Sequence, residues 1–453
     1  MSDTKLIDVS RVIESQRIGP FQILLGTVLL LTMFVDGFEA QAPGFAAPSI
    51  IREFGISRAG MTPIFVAGNF GLMIGAIVLG ILGDRAGRRR TIIVGLIVLS
   101  LFSYLSTTAE SIDELIVWRV FTGIGVGGIL PSVIALGSEY SPKRYQATVI
   151  WFLLIGYQAG ASSGAIVSTQ LIPAYGWQIM FVVGAILPLA IGALVVTLLP
   201  ESVRFLSLNS ALRERVIAIL RRVSPTEAIA ADARLVVHEE KKGGVKLVHL
   251  LADGRAPVTL LLWAVFIANL MALQFLLVWL PTVLESPSVP HEVAAIATVL
   301  VPAGGLVGGL VLSRFLDKGR ILPIAIGLAL GVPMVALIGS SEHSTALLML
   351  ATFGAGCAII GGQTNLHSIA GKFYPTFIRA NGVGWANGIG RIGSVSGPAI
   401  GGALIALDLP NSQLFLFAAV PPLCAALACF ALAAVQSRKK PVQDPDLAVQ
   451  PGH

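Results

Sequence analysis

The sequence predicts an all-α membrane protein with twelve transmembrane helices in two pseudo-symmetric six-helix bundles. Three observations predict it. Hydrophobic residues make up 55% of the 453-residue chain and charged residues 12%. An ordinary globular protein carries about 25% charged residues, so this chain has too few to coat a water-facing surface. Apolar runs of about 20 residues recur along the whole length, each able to cross a hydrocarbon layer of ~30 Å at ~1.5 Å per residue. The two halves also match one another at an offset of 233 residues.

The elements follow in order. Residues 1–20 are polar and mixed in charge. They read as a cytoplasmic N-tail, without the apolar core of a cleavable signal peptide. Six spans lie near 21–45, 61–82, 91–108, 112–137, 147–171 and 179–199, giving an N-terminal bundle over 21–199. Residues 200–256 are rich in Arg, Lys and Glu and read as a partly helical cytoplasmic linker. Six more spans lie near 257–281, 292–315, 321–339, 344–367, 379–405 and 412–436, giving a C-terminal bundle over 257–436. Residues 437–453 read as a loose cytoplasmic C-tail.

Basic residues set the direction. With the N-terminus inside, 27 of the 31 Lys and Arg fall on inner segments. Arg52 and Arg58 fall outside, and Arg119 and Arg391 lie within spans. Both termini are therefore expected in the cytoplasm. The same placement accounts for the net charge of +6 without nucleic acid as a partner. Cys357, Cys424 and Cys429 sit in apolar runs without metal-ligand spacing, so neither a disulfide framework nor a metal is expected.

The repeat is specific in its polar matches. At the 233-residue offset Asp84 falls on Asp317 and Pro142 on Pro375, in equivalent loops. Gly123, Gly128, Gly160 and Gly164 fall on Gly356, Gly361, Gly393 and Gly397. A duplicated unit of six helices suits alternating access.

Charge within a bilayer costs at least ~2.5–3.5 kcal/mol, so intramembrane ions are the first functional candidates. Asp36 and Glu39 lie in span 1, within TMFVDGFEAQAPG, at a spacing that puts both on one helix face. They read as a proton-binding pair, set against a hydrated helix end. Arg119, in span 4, is expected to pair with Asp36 as a coupling switch or as a structural ion pair. Arg391 lies near the midpoint of span 11, where the second half offers no acid to neutralise it. A guanidinium fork matches a carboxylate, which points to an organic anion as substrate. The alternative is pairing with Asp36 or with backbone carbonyls.

Polar candidates for a cavity wall are Gln158, Asn269, Gln274, Gln363 and Asn387, with Asn69, Tyr157, Asn365 and His367 beside them. Trp385 and Phe38 are candidates to stack on a flat ring. Gly156, Gly160 and Gly164, and Gly393, Gly397 and Gly401, recur every four residues and mark close helix packing. The sequence contains no Walker A motif, which argues against ATP-driven pumping. The loop between spans 2 and 3 reads GILGDRAGRRR, placing Gly80, Asp84, Arg85, Gly87 and Arg88 in an anchor or a salt-bridge latch.

That loop, Gly80 to Arg90, resembles the loop 2–3 signature of the major facilitator superfamily, and Pro200-Glu-Ser-Val-Arg-Phe205 resembles its sequence after helix 6. Asp36-Gly-Phe-Glu39 is similar to the helix 1 motif of the aromatic acid:proton symporters of the 4-hydroxybenzoate, protocatechuate and benzoate type. Tyr374-Pro-Thr, Arg379 and Gly382 to Arg391 resemble that family's helix 11 region. The resemblance implies a bacterial inner-membrane importer of benzoate-like acids driven by protons. It implies that Asp36 and the following acid are essential and that Asp84 serves the loop latch. The family's usual second acid is Asp; here it is Glu39.

The expectation is thus a monomeric, proton-coupled symporter for a small aromatic carboxylate, with the proton as coupling ion, no other cofactor and the lipid bilayer as its surroundings. It is not expected to be an enzyme. The rivals are a proton-coupled exporter of organic anions or drugs, and a transceptor sensing aromatic acids.

Overall fold

The computed structural model describes residues 6–8, 12–14, 18–207, 212–223, 234–236, 248–252, 254–285, 289–317, 320–341, 344–374 and 376–438. Pro375, the tail beyond 438 and the linker stretches 224–233 and 237–247 lie outside them.

Long helices dominate. They are α1 (Pro20–Phe54), α2 (Thr62–Ala86), α3 (Arg88–Thr107), α4 (Ile112–Glu139), α5 (Gln146–Tyr175) and α6 (Gln178–Leu198). Short helices α7 (Val203–Ser207), α8 (Arg213–Val223) and α9 (Val248–Leu251) follow. Then come α10 (Ala256–Leu284), α11 (His291–Asp317), α12 (Leu322–Ser340), α13 (Thr345–Phe373), α14 (Thr376–Ile405), α15 (Asn411–Ala418) and α16 (Val420–Arg438). Pro421 and Pro422 cannot supply backbone donors, and the last span is broken there into α15 and α16. Strands β1 (Leu6–Asp8) and β2 (Arg234–Val236) form one parallel pair.

Among the described residues, eleven helical spans are long and apolar enough to cross a membrane. The remaining span is α14, 30 residues long but carrying Arg379, Arg391 and many glycines. Local signals set the ends. Ser111 caps α4 by accepting from the Glu114 N–H at 3.3 Å, satisfying a donor that the first turn leaves orphaned. Pro20 opens α1, and Gly55, at φ +61°, closes it in the left-handed conformation.

The first helix runs well past its expected end. It continues through Pro43 and Pro48 to Phe54. Asp36 and Glu39 therefore sit in mid-helix, 2% and 0% exposed, and not at a hydrated end.

Two compact units make up the chain. One comprises Met1–Lys242, Gln274–Ala303 and Val395–Asn411; the other comprises Gly243–Leu273, Gly304–Ser394 and Ser412–His453. The core of the first gathers Leu29, Met33, Leu99, Ile129, Leu136 and Leu153, joined by Val216, Ile217 and Leu220 of α8. The core of the second gathers Phe266, Leu328, Leu366, Ala386 and Cys429. Ile77, Ile97, Ile166 and Leu350 are more than half exposed, as suits side chains in contact with acyl chains.

The repeat is written in the backbone contacts. In the first unit Gly71 and Gly75 of α2 lie against Val120 and Ile124 of α4, and Gly160 of α5 against the Phe34 carbonyl of α1. In the second unit Gly304 and Gly308 of α11 lie against Phe353 and Cys357 of α13, and Gly393 of α14 against the Ile267 carbonyl of α10. Each of these contacts recurs in the other unit, displaced by 233 residues. Glycine is needed because any Cβ there would strike a neighbouring backbone.

Candidate functional site

The first unit holds a buried charge pair. The Arg119 guanidinium of α4 donates to Glu39 Oε1 of α1, with side-chain exposures of 5% and 1%. The Ser103 hydroxyl of α3 lies 3.3 Å from Glu39 Oε2 and 3.2 Å from the Phe181 carbonyl, and its one proton serves one acceptor at a time. The Arg119 guanidinium carbon stands 5.4 Å from the Phe181 ring centroid, within cation–π range. Gly184 of α6 backs onto the Glu39 carboxylate, where a Cβ would collide. Arg119 Nε makes no hydrogen bond.

This arrangement corrects the expected pairing. Arg119 closes on Glu39, not on Asp36. At 100° per residue, positions three apart differ by about 60° in azimuth, and α1 turns Glu39 into the bundle interior formed by α3, α4 and α6. Asp36 lies one turn earlier and is likewise buried. Phe38 is packed in the core at 1% exposure.

The polar candidates of this unit divide by partner. The Gln158 amide donates to the Pro302 carbonyl at 3.3 Å. The Gln274 amide donates to Asn69 Oδ1, and Asn69 in turn donates to the Phe65 carbonyl at 3.0 Å.

The second unit holds the other guanidinium. Arg391 is half-buried on α14, between Gly390 and Gly393, which pack against Phe266 and Ile267 of α10. His367 of α13 meets the Phe266 ring edge-on at 5.2 Å and lies within electrostatic reach of Arg391. The Asn269 amide donates to Gln363 Oε1 at 2.7 Å and to the Ile359 carbonyl at 3.0 Å, while its own Oδ1 is buried without a donor. Trp385 is exposed and Asn387 half-buried on the same helix. The structure thus brings Arg391, His367 and Phe266 together. His367 stood beside the main candidates in the sequence; its 24-residue separation from Arg391 concealed the proximity.

The loop after α2 is clamped by acids that sequence reasoning did not single out. Arg88 pairs with Glu139 at 3.1 Å. Glu139 also accepts from the Ser202 hydroxyl at 2.7 Å and the Arg204 N–H at 2.8 Å. The Arg89 N–H donates to Glu201 Oε1 at 3.0 Å, and Tyr140 donates its hydroxyl to the Glu201 carbonyl at 2.5 Å. Gly87 takes φ +105°, and a Cβ there would strike the Glu201 carboxylate. Burial, then the charges of Glu139 and Glu201, push the Tyr140 phenol well above its ordinary range. Asp84 and Arg85 are exposed, and Gly80 has open space around it.

Comparisons with known proteins place this geometry in a family. The Major Facilitator Superfamily model matches residues 29–398. A gallate transporter of Pseudomonas putida is 35% identical, over 96% of this chain and 97% of its own. The 4-hydroxybenzoate transporter PcaK of Acinetobacter baylyi is 32% identical, over 94% of each. A 3-(3-hydroxy-phenyl)propionate transporter of Escherichia coli is 32% identical, over 91% of this chain and 94% of its own. Among solved structures the xylose transporter XylE from E. coli superposes with a TM-score of 0.71, covering 91% of this chain and 98% of its own. At 16% identity that likeness shows the fold alone. The chain is a membrane transporter, not an enzyme, and it belongs to the Major Facilitator Superfamily, among its aromatic acid transporters.

Proposed function

We propose that this carrier imports a small aromatic carboxylate, of the hydroxybenzoate kind, together with protons across a bacterial inner membrane by alternating access. The observation that carries the reading is the pair of carboxylates buried in mid-helix on α1, Glu39 facing Arg119 and Asp36 one turn away. Buried acids in a membrane span cost too much to serve as filler. The relatives transport gallate, 4-hydroxybenzoate and a hydroxyphenylpropionate, acids that share one carboxylate and one substituted ring.

In this reading Asp36 and Glu39 take up the proton. A proton on Glu39 removes the charge that Arg119 faces and releases the guanidinium, which biases the bundle toward its other conformation. The substrate carboxylate docks on Arg391 in two parallel hydrogen bonds. Its ring lies against apolar and aromatic walls, to which Trp385 of the same helix and Phe266, packed against Gly390, contribute. The polar groups Asn269, Gln363 and Asn387 of the second unit serve ring substituents. The bundles 21–199 and 257–436 are the moving bodies, the loop at Asp84 to Arg88 is a latch, and both termini lie inside, as the 27 inner basic residues support.

Uptake into proteoliposomes under an inward proton gradient tests this. Gallate, 4-hydroxybenzoate and benzoate are offered, with xylose as the neutral control. Gradient-driven accumulation of an acid, lost in Asp36→Asn and in Arg391→Ala, is expected. Accumulation that persists in Asp36→Asn would refute the proton role.

A further inference from the structure

We propose that Arg52 and Arg58 form an anion-capture site at the outer mouth of the pathway, and that Glu285 fills it as a built-in carboxylate while that mouth is shut. The inference rests on the orientation and substrate class proposed above.

Two guanidinium groups converge on one residue. Arg52 Nη1 lies 2.8 Å from Glu285 Oε1, and Arg58 Nη2 donates to the Glu285 carbonyl at 3.1 Å. Ser49 Oγ accepts from Arg52 Nη2 at 2.9 Å and holds the fork in place. The neighbouring acid Glu53 is engaged elsewhere, by Gln178 at 3.2 Å. Glu285 is thus the residue on which both arginines converge, Arg52 on its carboxylate and Arg58 on its backbone carbonyl.

The helix ends around the pair are packed tightly. Gly44 of α1 abuts the Leu277 and Val278 carbonyls of α10, Gly402 abuts Thr62, and Asn411 donates to the Val283 carbonyl at 3.4 Å. Arg52 and Glu285 are themselves equivalent positions of the repeat, 233 residues apart, with opposite charges.

Stability does not explain the pair. The Arg52 side chain is 64% exposed and that of Glu285 26%, and pairs so open to water contribute little to stability. Basic residues are also disfavoured on the outer side, yet both arginines stand there. A weak pair that water reaches is what a contact broken in every cycle requires. Glu285 and a benzoate-like substrate present the same chemical group, so a free carboxylate can replace it on the fork. An internal ligand on a short tether has an effective concentration of roughly millimolar order, so exchange sets in at millimolar acid.

A purely structural latch and a capture site make opposite predictions. Breaking the pair from either side has one consequence for a latch. For a capture site, Arg52→Gln removes the receptor, whereas Glu285→Gln removes the competitor. The test measures half-saturation for benzoate uptake: it should rise about threefold or more in Arg52→Gln and fall in Glu285→Gln. Shifts of the same sign, or none, overturn the proposal.

A second measurement needs no transport. Thr62→Cys is labelled with a membrane-impermeant maleimide in sodium benzoate or in sodium chloride, against the unsubstituted chain as baseline. Benzoate should speed labelling about threefold, and this response should vanish in Arg52→Gln/Arg58→Gln. An equal response in both backgrounds overturns the capture site. Labelling that responds while no acid is accumulated would leave the capture site standing and refute the import reading instead.

Discussion

Glu39 and Arg119, 80 residues apart in sequence, form a buried ion pair between α1 and α4, with side-chain exposures of 1% and 5%. The pair ties the first helix to the helix that carries the glycine contacts of the first unit. It also puts a titratable group and a fixed cation in direct contact inside a span, so its protonation and the packing of the bundle are one equilibrium.

Removing one member strands the other. Glu39→Gln leaves Arg119 buried and unneutralised, and Arg119→Met does the same to Glu39; each should cost about 3–5 kcal/mol. The double variant Glu39→Gln/Arg119→Met should regain most of that stability and still fail to accumulate substrate. Thermal unfolding of the purified variants, with uptake measured in parallel, checks both parts. Single variants as stable as the parent would show that the pair carries no such energy.

The repeated glycine contacts should behave alike in both units. Gly160→Ala and Gly393→Ala drive a Cβ into the Phe34 and Ile267 carbonyls, so both should lower the melting temperature strongly. Gly26 and Gly388 have open space around them. Alanine there should be neutral or stabilising by about 0.5–1 kcal/mol through chain entropy. Melting curves of the four single variants decide the matter.

At the loop after α2 the weight rests on Glu139 and not on Asp84. Glu139→Gln removes the charge opposite Arg88 and weakens the acceptor for Ser202 and the Arg204 N–H, and should cost about 1–3 kcal/mol. Asp84 is exposed, and Asp84→Asn should stay within about 0.5 kcal/mol. Denaturation in detergent separates stability from transport, on which the two substitutions are compared independently.

Tyr140 gives a pH prediction with a definite sign. Its phenol is raised well above 10.0 by burial first and then by Glu139 and Glu201. A raised group contributes its stability in full below the unfolded value of about 10 and loses it only as pH climbs toward the folded value. The hydrogen bond to Glu201 therefore persists at every working pH. Tyr140→Phe should cost about 1 kcal/mol, as a constant offset in stability between neutral and mildly alkaline pH. An offset that closes over that range would contradict the raised phenol.

Eleven of the twelve spans were legible because a bilayer demands long apolar runs, a signal stronger than any local propensity. The end of α1 was not: the span expected at 21–45 runs on through Pro43 and Pro48 to Phe54, since a helix within a membrane protein tolerates proline where its surroundings re-satisfy the freed backbone groups. Asp36, Glu39, Arg119 and Arg391 stood out by their cost alone. Which acid meets Arg119 was hidden, since a spacing of three residues leaves both on one broad face. Glu139 and Glu201 were missed because their partners come from distant helices. Arg52 and Glu285 were discoverable: read at the repeat offset, they are opposite charges at one position.

The glycine–backbone contacts have a consequence for how such a chain changes length. Each fixes the register of one helix against another to a single residue, and Gly71, Gly75 and Gly160 do so along one stretch, as Gly304, Gly308 and Gly393 do along the other. One residue inserted or deleted inside any of these helices rotates everything beyond it by about 100°, turning a glycine away and a bulky side chain in. Side chains between the contacts are free to diverge, as Asp36 and Asn269 have at one repeat position. Gains and losses of residues should fall outside these helices, as in the tails and the linker of residues 200–256. Insertion scanning would therefore draw the two bundles as silent blocks separated by one permissive gap.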